Sequence, residues 1–114
     1  MKITGCIPAL YRIPLPVVLS DSTHGQVSHF ELITVRIQTD VGIEGIGYTF
    51  TPGTGGSSVY ALLRHDLGEQ LIGFDPRQIE QLWERMWWHV HFVGRGGSVA
   101  FAISAIDIAL WDIK

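Results

Sequence analysis

The run Ser20-Asp21-Ser22-Thr23-His24-Gly25-Gln26-Val27-Ser28-His29 gathers a carboxylate, two imidazoles and four hydroxyls between two apolar stretches of a 114-residue sequence. Imidazole and carboxylate groups move protons or bind hydroxyls near neutral pH. Polar loops on a rigid scaffold commonly carry recognition. From its residues alone this run reads equally as a substrate-contacting loop and as solvated surface.

The other candidates are weaker. Thr51-Pro52-Gly53-Thr54-Gly55-Gly56 precedes a helix start and has the glycines of an anion-binding nest. It lacks both the Gly-Lys-Ser/Thr ending of a phosphate loop and dinucleotide-fingerprint spacing, so a strand-to-helix loop is the better reading. His89 and His91 would point about 200° apart on a helix and could not share a metal there. Asp107 and Asp112 interrupt an apolar helix and are five residues apart, which is not one face; buried carboxylates need partners, so a structural role is expected. No Cys–His pair has motif spacing, and no serine is marked as a nucleophile.

The elements that must position these residues follow from periodicity. Lys2–Pro14 reads as an extended segment that bends at Pro8 and is ended by Pro14 and Pro16. Phe30–Thr39 alternates, with Ile33, Val35 and Ile37 on one face. Asp40-Val41-Gly42 supplies a turn, and Ile43–Phe50 returns as a third antiparallel strand. Gly45 and Gly47 share a face of that strand, which predicts close approach by another element.

Helices follow. One is capped by Ser57 or Ser58 and stopped by Gly73. The next opens at Asp75-Pro76, with Gln78 in a capping box, and carries Ile79, Leu82, Trp83, Met86, Trp87 and Val90 on one face. The last runs from Ser98 to Lys114 and is apolar nearly all round, so burial on several sides is expected. It has no C-cap signal, and the expectation is that more polypeptide follows.

Composition bounds the rest. The chain is 46% apolar and 11% aromatic, which suits one packed domain. It is too short for a complete (β/α)₈ barrel, which needs about 250 residues. Eight scattered basic residues and a net charge of −3 argue against nucleic acid. No stretch reads as a membrane span or signal peptide. Cys6 stands alone, which excludes an internal disulfide and suits a reducing cytoplasm.

Taken together, the opening strand Met1-Lys2-Ile3-Thr4 and the strand pair Val35 to Gly47 resemble the N-terminal domain of the enolase superfamily. The resemblance is to its mandelate racemase/muconate lactonizing branch. The closing run Ala102-Ile103-Ser104-Ala105-Ile106-Asp107-Ile108-Ala109-Leu110-Trp111-Asp112-Ile113-Lys114 is similar to the helix that leads into that family's (β/α)₇β barrel.

The resemblance implies an α+β capping domain over residues 1–97: a three-stranded meander followed by helices. It makes residues 98–114 a linker helix leading into the barrel. It also implies abstraction of the proton alpha to a carboxylate, with Mg²⁺ and the acid and base groups carried by barrel strands; catalytic and metal residues are expected to be absent from this chain.

Two cap loops of the family close over substrate. By position they correspond to Val17–His29 and Thr49–Gly56, which nominates Asp21, Thr23, His24, Phe50 and Thr51 as substrate contacts. Asp and His suit a hydroxyl-rich substrate. Pro14-Leu15-Pro16 and Ser20-Asp21 look more like the acid-sugar dehydratases of the talarate/galactarate group. The expectation is a Mg²⁺-dependent acid-sugar dehydratase, cytoplasmic and homo-oligomeric. A racemase, epimerase or cycloisomerase of the same family is the alternative. The rival of another class is a stand-alone binding module, dimerising through Trp87, Trp88 and the last helix.

Overall fold

A computed structural model describes all 114 residues. Strands β1 (Ile3–Asp21), β2 (Gly25–Thr39) and β3 (Glu44–Thr51) form an antiparallel sheet in the order β1-β2-β3. Helix α1 (Gly56–Ala61) continues through a π-helical segment, Leu62–Leu67, and a short 3₁₀ turn, Gly68–Gln70. Helices α2 (Ile79–Val90) and α3 (Ser98–Ile113) follow. This is the expected α+β architecture, a meander followed by helices.

One sheet face makes the core. Ile33, Val35 and Ile37 alternate along β2 and are fully buried beneath the helices with Leu63, Leu67, Leu82, Met86, Ile106 and Leu110. Burying each such side chain contributes about 1.5–3 kcal/mol. The buried apolar residues form one contiguous cluster, as a single domain requires.

The expected close approach to β3 is made by α3. A Cβ at Gly47 would overlap the Ala105 carbonyl oxygen, and one at Gly45 would overlap that of Ala109. Asp112 Oδ2 then accepts the Ile46 N–H at 2.9 Å, pinning the far end of the helix to the strand.

Four sequence expectations are corrected. First, Pro14 and Pro16 do not end β1; it continues to Asp21, with a register shift between Pro14 and Leu19. The strand lies at the sheet edge, where a residue without an N–H is tolerated. β2 accordingly starts at Gly25 rather than Phe30, and the polar run is a hairpin, not a loop.

Second, neither serine caps α1. Gly55 holds the N-cap position, and Ser58 Oγ donates to the Gly55 carbonyl instead. Third, α2 begins at Ile79 and not at Pro76, because Asp75 Oδ1 accepts the Arg77 N–H in a local Asx turn and leaves the capping box unformed. Fourth, α3 is buried on one side only: Phe101, Ile108 and Trp111 stay exposed.

None of residues 9–32 is buried, so the outer half of the β1–β2 hairpin stands clear of the core. The molecule measures 45 × 32 × 20 Å, with a radius of gyration of 14.9 Å. A compact chain of this length would have a radius of about 13 Å. The hairpin makes the difference.

Candidate functional site

In an antiparallel meander the β1–β2 turn and the exit of β3 lie at the same end of the sheet. The two segments singled out in the sequence therefore share one end of the molecule. Asp21 pairs with Gly25 across a three-residue turn, Ser22–His24. Gly25 closes it at φ 71°, left-handed backbone that a side chain would strain.

Asp21 organises this turn. Its Oδ1 accepts the N–H groups of Thr23 at 2.6 Å and His24 at 2.7 Å, and its Oδ2 lies 2.9 Å from His24 Nδ1. The His24 side-chain bond, followed by the two backbone bonds, lowers the carboxyl from 3.8 to about 2. An ionised carboxylate only accepts, so Nδ1 carries the proton in the pair. Nε2 is left available on an imidazole whose orientation Asp21 fixes. Both side chains are more than half exposed, and Asp21, Thr23 and His24 form one group at the tip.

Phe50 and Thr51 are placed differently. They are consecutive on β3 and so face opposite sides of the sheet. Phe50 is exposed on the outer face, with its ring 5.5 Å from that of Phe30. Thr51 is buried on the helix side, where its hydroxyl donates to Glu31 Oε1 at 2.7 Å and accepts the Gly53 N–H at 3.2 Å.

Glu31 is the residue that sequence reasoning missed. Its Oε1 also accepts the Gly56 N–H at 2.9 Å, at the start of α1. The Thr51 bond, then the Gly56 bond, lowers its pKa. A signal was present: Glu31 alternates with Ile33, Val35 and Ile37, placing a charge on the apolar face of β2. His29 lies next along that face; its Nδ1 is 3.4 Å from Arg12 Nη2, and its ring lies beside Gly53.

No three His, Cys, Asp or Glu side chains are grouped closely enough to hold a metal ion. His89 lies within α2 and His91 follows its last residue, where the His91 ring packs 4.3 Å from that of Trp87. A cavity of about 300 Å³ lies between α2 and α3, lined by Trp83, Trp87, Arg95, Val99, Ile103 and Asp107 among others. Burial there pushes the Asp107 carboxyl up. No hairpin residue lines it. No helix is long and apolar enough to cross a membrane.

The sequence profile of the mandelate racemase/muconate lactonizing enzyme N-terminal domain matches residues 6–114. The chain is 55% identical over 105 residues to a 3,6-anhydro-alpha-L-galactonate cycloisomerase of Streptomyces coelicolor, covering 92% of this chain and 29% of that protein. It is 33% identical over 111 residues to an L-talarate/galactarate dehydratase of Salmonella typhimurium, covering 93% of this chain and 28% of that one.

Among solved structures, a racemase from Streptomyces coelicolor with bound magnesium superposes with a TM-score of 0.95 at 52% identity, covering 97% of this chain and 31% of that one. The Salmonella dehydratase, liganded with Mg and L-lyxarohydroxamate, superposes with a TM-score of 0.90 at 31% identity, covering 98% and 30%. The chain thus spans just under a third of these relatives. From its first strand to its last helix, it belongs to the mandelate racemase/muconate lactonizing enzyme family of the enolase superfamily, as that family's N-terminal domain.

Proposed function

We propose that this chain is the substrate-selecting cap of an enzyme that removes the proton alpha to the carboxylate of a sugar acid and expels the oxygen on the beta carbon. The observation that carries this reading is the hairpin: its outer half buries nothing, yet its tip holds a carboxylate-oriented imidazole. Such a group suits hydroxyl recognition better than packing. Nε2 of His24 and the hydroxyl of Thr23 would bond substrate hydroxyls, with Asp21 holding the imidazole. Phe50 would offer an apolar surface, and Thr51 would fix the second loop.

The chemistry balances without an external oxidant. A base takes the C2 proton and leaves its electron pair in an enolate. The C3–O bond then breaks with its pair on oxygen, which is protonated, and the enol tautomerises to a 2-keto-3-deoxy acid. Where the C3 oxygen is a hydroxyl, water leaves, as for a dehydratase. Where it is a 3,6-anhydro bridge, the ring opens and nothing is lost; the 55% identity to a cycloisomerase favours this outcome. Racemisation is the second reading, favoured by the structure of a racemase at 52% identity; the same enolate is then reprotonated on its other face.

This chain's own groups do not fit a magnesium site, and its only lysines are Lys2 and Lys114. Metal ligands, acid and base are therefore assigned to the barrel proposed to follow residues 98–114. No step given to residues 1–97, the proposed cap, runs through a metal. We assign the intact protein to the cytoplasm as a homo-oligomer.

The test uses the intact protein with Mg²⁺ and a panel of 3,6-anhydro-L-galactonate, galactarate, L-talarate, D-galactonate and D-mannonate. Release of a 2-keto-3-deoxy acid from any of them is the expected result. Solvent deuterium entering C2 without elimination would replace it with the racemase reading. No turnover and no exchange on the whole panel would sink the sugar-acid assignment.

A further inference from the structure

We propose that Glu31 is a positioning residue that sets the Thr51–Gly56 loop over the substrate. One carboxylate oxygen accepts from Thr51 at 2.7 Å, where the loop begins, and from Gly56 at 2.9 Å, where it ends. Thr51 in turn accepts the Gly53 N–H, so a third point of the loop hangs on the same atom.

Nothing else performs this task. Helix α1 has no side-chain cap of its own, and its first N–H groups need an acceptor. Glu31 supplies one from a strand 25 residues earlier. The fit is close: a Cβ at Gly56 would stand 2.8 Å from the Glu31 carboxyl carbon. Between the anchors, Gly53 and Gly55 both have positive φ, backbone that does not hold its shape unaided.

The tether starts on rigid ground. Two residues further along the same face of β2, Ile33 is fully buried in the core. The loop therefore inherits its position from the core through one carboxylate, whereas the hairpin tip has only its own turn bonds. The kinetic consequence rests on the sugar-acid reading; the structural consequence does not.

The experiment compares the intact wild type with Glu31→Gln and Glu31→Ala, by hydrogen exchange and by kinetics. Glu31→Gln keeps one acceptor oxygen without the charge, so it should fold and show the smaller change of the two. Amide exchange at residues 51–56 is expected to quicken about 10-fold or more in Glu31→Ala, with peptides from Ile33–Ile37 and α3 unchanged.

On whichever sugar acid the wild type consumes, KM should rise about 10-fold, with kcat within about threefold, as expected when ground-state and transition-state binding are lost together. Partial restoration in Glu31→Gln should track the recovery of exchange protection. Unchanged exchange at residues 51–56 would overturn the proposal. So would acceleration spread evenly over the domain with KM unmoved, since that marks a purely structural residue. If the wild type consumes no sugar acid, the sugar-acid reading fails and the exchange result alone decides the role of Glu31.

Discussion

The seam between β3 and α3 and the outer half of the β1–β2 hairpin are built on opposite terms. At the seam two glycines let a helix backbone lie directly on a strand, and Ala105, Ile106, Ala109 and Leu110 are completely buried beside it. In the hairpin no residue from 9 to 32 is buried, and order at the tip comes from one aspartate bonding its own turn. The seam has no spare atoms for a ligand, while the hairpin has no core to lose. Stability and recognition are thereby separated, so the hairpin can change substrate preference without unfolding the domain.

The sharpest way to break this contrast is Gly47→Ala. The added methyl would collide with the Ala105 carbonyl, and no side chain stands between them to move aside. We expect a loss of about 3 kcal/mol or more, read as a large drop in the denaturation midpoint or as insoluble protein. A variant as stable as wild type would show that the helix does not need this approach.

Ile106→Ala comes next. It empties a fully buried site, and denaturant unfolding should report about 2–5 kcal/mol. A value under about 1 kcal/mol would mean that α3 is held elsewhere.

Gly25→Ala moves the test to the hairpin. Left-handed backbone costs a residue with a side chain roughly 1–2 kcal/mol, and that cost should appear as faster exchange in residues 19–27 alone. A global shift in stability would couple tip to core and contradict the separation drawn above.

The smallest effect on folding is expected from Asp21→Asn. The unfolding transition should not move, whereas KM for the sugar acid should rise as His24 loses its fixed orientation. Acid tests the same bonds. The folded carboxyl lies at about 2 against an ordinary 3.8, so the group is stabilised in its charged form. Its contribution is complete above about pH 4 and disappears as pH falls through about 2. A carboxyl NMR titration of Asp21 with a midpoint near 3.8 would show that the turn bonds do not form in solution.

Much of this was written locally. Alternation along Ile33, Val35 and Ile37 and the i, i+3, i+4 spacing of Ile79, Leu82, Trp83 and Met86 announce their elements, because a buried face needs an apolar residue once per turn or every second position. Gly45 and Gly47 announced a close neighbour. The errors arose where local signals competed or tertiary context intervened. Asp75 can cap a helix or close an Asx turn, and the turn formed. Pro14 and Pro16 end a central strand but not an edge strand, and sequence does not say which strand lies at the edge.

The sequence by itself determined the family, the three strands, α2, α3 and the polar run at residues 20–29, since each is a pattern over neighbouring residues. Only the tertiary structure decided that this run is a hairpin standing off the core. It also decided that Phe50 and Thr51 face apart, and that Glu31 joins both ends of a loop 20 and 25 residues away. The physical reason is range. A period is visible within a dozen residues, but a hydrogen bond between distant segments exists only after packing has fixed both backbones.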